Sequence, residues 1–126
     1  MRHEEYRAWL SELTLAEPPF GVPDVVASGF IRIVTHPRIW PIPTPIDIAL
    51  RVIEVLRARE NHVAVAPGAR HWEIFADLCG HANAKGNLIP DAFLAALAIE
   101  TGSELMTADR DFARFPGLRW RHPLDG

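Results

Sequence analysis

A chain of 126 residues, 48% apolar and with a net charge of -3, has the size and balance of one globular domain and carries no global basic signature for nucleic acid. Its one cysteine, Cys79, excludes an internal disulfide framework and a cysteine-based zinc site. No apolar run reaches membrane-spanning length and no signal-peptide pattern opens the chain, so no membrane partner is expected and the expected compartment is the cytoplasm.

Tyr6, Trp9, Leu10 and Leu13 recur at helical spacing and predict a first amphipathic helix, ended by Glu17-Pro18-Pro19. Residues 20–22 form a short strand candidate. Asp24 opens a second helix, as its cap, with Val26, Phe30, Ile33 and Val34 as the buried stripe. A proline-rich loop over 35–43 leads to Thr44, an N-cap, and Pro45, a first helical residue. Ile46, Ala49, Leu50, Ile53 and Leu56 make the next helical face, which ends at Asn61. Residues 62–66 alternate like a strand, Pro67-Gly68 turns the chain, and 69–81 reads as a helix with Ile74, Phe75 and Leu78 inward.

The polar loop 83–87 leads into a helix over 91–101, with Asn87 as a possible cap and Pro90 in the first turn. Gly102 is a ready C-terminal cap. Residues 103–108 predict a buried strand, 110–115 a short turn and 118–121 a last strand. Helices alternating with short strands predict an α/β fold with a parallel sheet.

Asp91 and Asp109 are drawn together by this order. A helix over 91–101 advances about 16 Å at about 1.5 Å per residue, and the strand returns a similar length at about 3.3 Å per residue. Both aspartates come back to one edge of the fold, with Asp111 just beyond. Asp91 shares its side of the helix with Leu94, Ala95 and Ala98, which points it inward. Clustered carboxylates at the carboxyl edge of a sheet suit a hard cation. Taken singly, each has a plainer role: Asp91 complements the helix dipole, and Asp109 caps the 110–115 turn.

The stretch PDAFLAALAIETGSELMTADRDF resembles the C-terminal signature of PIN-domain ribonucleases, specifically the VapC-type toxins of bacterial toxin–antitoxin modules. The family places one acidic residue at the start of this helix and another in a T-x-D-x-D-F turn. Asp91 and the group Thr107, Asp109, Asp111 and Phe112 match. The segment GFIRIVTHPRIW extends the likeness more loosely. The resemblance implies a PIN-like parallel sheet with helices on both faces. It also implies hydrolysis of RNA phosphodiester bonds with Mg²⁺ or Mn²⁺, a homodimer, and a cognate antitoxin. Asp91 and Asp109 are then the expected catalytic metal ligands. Asp111 is a ligand or acts through water, and Thr107 orients Asp109.

His36, Arg38, Arg70, His71, Lys85 and Arg110 are candidate contacts for an RNA backbone, and the resemblance adds Arg32. Each also fits an ordinary solvated surface. Trp9, Trp40, Trp72 and Trp120 are expected as core and interface anchors, because no basic–aromatic interleaving surrounds them. His71 and Glu73 make no H-E-x-x-H pattern, so a zinc protease has no support.

The chain departs from the family at its start. The family's first strand, central in the sheet and ending in a metal-binding Asp, has no counterpart, since Met1 falls where the first helix begins. Gly29 and Ser28 stand where many members carry Glu, although members with the FxRIxTxP-like segment also have a small residue there. The expectation is a single PIN-like domain over 1–126, N-terminally truncated. A break between the 20–22 and 103–108 strands, or that gap filled by another segment, and poor solubility would follow. The competing expectation is an inactive truncated protein that binds antitoxin or self-associates.

Overall fold

The computed structural model describes residues 18–37 and 42–124. The predicted first helix, Arg38 and Trp40 lie outside the described residues. The chain divides into two compact units, one running to Val65 and the other starting at Ala66, and each is described by itself.

In the first unit, Phe20 makes a parallel bridge to His62. The Phe20 N–H donates to the Asn61 carbonyl, and the Val63 N–H donates to the Phe20 carbonyl. Gly21 permits this approach, because a Cβ there would run into the Val65 side chain and the Val63 carbonyl. Helix α1, Asp24–Val34, and helix α2, Ile46–Arg57, pack together beside this junction. Both begin directly after a proline, Pro23 and Pro45, and neither start has a side-chain cap.

Two capping expectations therefore fail. Asp24 pairs with Arg57 at 2.8 Å instead of capping α1, and Thr44 uses its backbone N–H to reach the Val34 carbonyl at 2.8 Å. The Arg57 guanidinium also donates to the Val22 carbonyl, while the Val22 N–H donates to His62 Nε2 at 3.3 Å. Arg57 thus ties the end of α2 to the segment that enters α1. The stripe expected to bury α1 is largely open: Phe30 is 36% and Ile33 43% exposed, and the residue that buries is the small Ala27.

In the second unit, helix α3, His71–Ala82, packs on helix α4, Leu88–Thr101. Ala92, Ala95, Ala96 and Ala98 are all buried along α4, and their small side chains let neighbours come close. The core joins Leu78 of α3 and Ala92, Ala95 and Ala96 of α4 to Phe112 and Phe115. The start of α3 is capped from α4: the Glu100 carboxylate accepts the N–H groups of Gly68 at 2.8 Å and Arg70 at 2.9 Å. The Gly68 hydrogen bond is the main reason that the Glu100 carboxyl lies below its usual range.

Helix α4 ends in a Schellman motif. Gly102 is left-handed at φ 68°, its N–H donates to the Ile99 carbonyl, and the Ser103 N–H donates to the Ala98 carbonyl at 2.9 Å. Strand β1, Leu105–Met106, then pairs in parallel with strand β2, Trp120–Arg121, with Leu105 opposite Trp120 and Met106 opposite Arg121. Both strands are shorter than expected, and for β1 the cause is visible: Ser103 is spent on the helix cap. Between them lies a 3₁₀ helix, Arg110–Arg114, anchored by the buried Phe112 and Phe115.

The α/β class with parallel pairing holds. Among the described residues each expected strand finds its partner inside its own unit, Phe20 with His62 and β1 with β2. Among those residues no helix is long and apolar enough to cross a membrane.

Candidate functional site

The turn entering α4 fixes the first site residue. The Leu88 and Ile89 N–H groups donate to the Lys85 and Gly86 carbonyls, so the first turn is closed by backbone. Asn87 at its edge makes no side-chain cap. Asp91, one position past Pro90, is half-buried, and Ala95 one turn later is fully buried. Asp91 therefore faces inward, as its spacing predicts.

Beyond β1 the chain turns at Thr107. The Thr107 hydroxyl accepts the Asp109 N–H at 3.1 Å, and Asp109 Oδ1 accepts the Asp111 N–H at 2.8 Å. Asp109 thus does cap the 3₁₀ helix, and one of its oxygens remains free for another partner. Asp91, Asp109 and Asp111 line one open cleft of about 600 Å³. Burial raises the Asp91 carboxyl above its ordinary range, and the charges of Asp109 and Asp111 push it further.

A hard divalent cation suits this donor set, which is all carboxylate oxygen. Among the described residues no three His, Cys, Asp or Glu side chains converge closely enough to hold an ion as they stand. The chemistry of the donors fits; the closed coordination shell is not formed.

The cationic candidates divide. His71 is no surface contact: it is 4% exposed, its Nε2 donates to the Phe93 carbonyl at 2.9 Å, and its ring lies 4.3 Å from that of Phe93. Arg70 is exposed beside the Glu100 cap. Arg110 is exposed on the 3₁₀ helix, whose contribution to the cleft is instead Asp111 and Arg114. Lys85 lines the cleft from the loop before α4. Arg32 is exposed in the last turn of α1, where it complements the helix dipole, and His36 follows that helix in the first unit. Of the described tryptophans, Trp120 packs on the core as expected, but Trp72 is 73% exposed.

Arg114 was not among the sequence candidates. A signal for it exists: it stands three residues after Asp111, which is one turn of a 3₁₀ helix and places both on one side.

Comparison with known proteins accords with this geometry. The family model described as PIN domain matches residues 1–118. The chain is 45% identical over 124 residues to VapC ribonuclease Mb2897 of Mycobacterium bovis, covering 98% of this chain and 84% of that protein. It is 40% identical over 121 residues to ribonuclease VapC25 of Mycobacterium tuberculosis, covering 96% and 85%. Among solved structures it resembles VapBC-1 from nontypeable Haemophilus influenzae, with a TM-score of 0.69 and 15% identity over 97% of this chain and 90% of that one. It also resembles VapBC2 from Rickettsia felis bound to a promoter DNA fragment, with a TM-score of 0.66 and 16% identity over 94% and 85%. Helices that return short parallel strands to an aspartate-lined cleft, and a family match over most of the chain, agree: this protein belongs to the PIN-domain family, in its VapC branch.

Proposed function

We propose that this protein is a metal-dependent endoribonuclease, the toxin of a toxin–antitoxin pair in the cytoplasm, acting as a homodimer. One observation carries the reading: the helix–strand return brings Asp91, Asp109 and Asp111 to a single cleft, where burial first, and the charges of the other two second, raise the Asp91 carboxyl. The ribonuclease names of its relatives support the activity. The VapBC assemblies that share its fold support an antitoxin partner.

Hydrolysis adds water across a P–O bond: a new P–O bond forms, the ester P–O bond breaks, and the leaving oxygen takes up a proton. Mg²⁺ or Mn²⁺ supplies charge neutralisation at the phosphate and an activated water. Asp91 and Asp109 are the residues that would hold it, with Asp111 as a further ligand or acting through water. Thr107 holds the Asp109 backbone in place. Burial and the charges of its neighbours oppose ionisation of Asp91, and an added cation would offset that cost.

A second reading, a catalytically silent protein that binds antitoxin or itself, is favoured by the open spacing of the carboxylates. Purified protein incubated with RNA and Mg²⁺ or Mn²⁺, with and without EDTA, separates the two. Cleavage that EDTA abolishes supports the nuclease. RNA left intact under every metal condition supports the silent protein.

A further inference from the structure

The carboxylate cleft also holds two cations, Lys85 and Arg114. Lys85 stands in the loop between α3 and α4, and Arg114 ends the 3₁₀ helix. Their backbones are pinned. The Lys85 carbonyl accepts the Leu88 N–H at 3.1 Å, between the left-handed Asn83 and Gly86. Arg114 is followed directly by the buried Phe115. Their side chains are not pinned: neither makes a hydrogen bond or ion pair among the described residues. Although they share a cleft with three carboxylates, neither forms an ion pair with any of them.

Free cations beside free carboxylates are electrostatically wasteful unless each set has its own partner. The carboxylates suit a divalent ion, and the cations suit an anion brought alongside. Three carboxylates alone would repel a polyanion. With a divalent ion held by Asp91, Asp109 and Asp111 the cleft would turn net positive, and Lys85 and Arg114 offer donors that reach beyond the acids. Arg114 brings the planar fork that matches two phosphate oxygens, and Lys85 a mobile point charge.

We propose that Lys85 and Arg114 are the phosphate-binding pair of this cleft, holding the RNA phosphates that flank the scissile bond. The proposal rests on the ribonuclease reading above. The pair sets where the strand lies over the carboxylates. Its work appears in substrate binding rather than in the chemical step.

The test is steady-state cleavage of a single-stranded RNA oligonucleotide by wild type, Lys85→Gln, Arg114→Gln and Arg114→Lys, across a salt series. Each Gln variant is expected to raise KM about tenfold, the fold-change of one charge-assisted hydrogen bond, with kcat little changed. Each should also flatten the dependence of log KM on log salt by about 0.7, the share of one lost phosphate contact on a single strand. Arg114→Lys should recover part of the KM and all of the salt slope. Unchanged KM and salt slope in both Gln variants of an active protein would overturn the proposal and leave the ribonuclease reading intact. A lower melting temperature with reduced kcat and unchanged KM would likewise overturn it, because that pattern marks a structural role. A wild-type protein that cuts no RNA overturns both.

Discussion

Asp91 and His62 show how one side chain answers to two environments. Asp91 is held inward by the turn of α4, where burial and two like charges oppose its ionisation. Such a carboxylate adds little to the stability of the fold, and in the proposed nuclease its charge is met by the cation. His62 serves structure instead. Its neutral Nε2 accepts the Val22 N–H, while burial first, and the nearby Arg57 charge second, hold its pKa below the ordinary 6.5. Its folded value lies below its unfolded value, so the unfolded chain takes up a proton first. The stability it contributes is fully present above pH 6.5 and is lost as pH falls through the lower folded value. Melting temperatures of wild type and His62→Gln are expected to differ most near neutral pH and to converge on acidification. A gap that stays constant with pH would contradict this role.

At the scale of the element, the α4–β1 return depends on Gly102. Its φ of 68° is open to glycine, and no atom lies within 4 Å of where a Cβ would be, so the cost of a larger residue is purely backbone. Gly102→Val is expected to lose about 1–2 kcal/mol in denaturant unfolding, and Gly102→Asn clearly less, since Asn tolerates the left-handed region. Equal stability of the Val variant and wild type would show that the motif does not require the glycine. This return was legible in the sequence because its signals are local: Pro90 at one end, Gly102 at the turn, and T-x-D-x-D-F at the other. The strand limits were not, because Ser103 gives its N–H to the helix rather than to a ladder. The burial of α1 was not legible either. Apolar periodicity favours large residues such as Phe30, whereas the contact is made by Ala27. Arg114 was not legible because 110–115 reads only as a short turn, and the repeat of three that sets it beside Asp111 belongs to the 3₁₀ helix seen there.

For the molecule as a whole, composition is a poor guide and arrangement a good one. A net charge of -3 argues weakly against a nucleic-acid ligand, yet the fold gathers carboxylates and unpaired cations around one cleft. The family was legible because the three carboxylates of the cleft lie within one short stretch, from Asp91 to Phe112. Both cations of that cleft lie outside the stretch: Lys85 was a candidate from the sequence, and Arg114 needed the structure. The central claim is that Asp91 holds a cation which the reaction requires. Its most direct test is Mn²⁺-dependent RNA cleavage by Asp91→Asn beside wild type, with melting temperatures in EDTA as the control for folding. Losing a buried and repelled charge, the variant is expected to melt at or above the wild-type temperature and to lose cleavage by about 100-fold or more. A folded Asp91→Asn protein that cuts RNA at the wild-type rate would contradict the account.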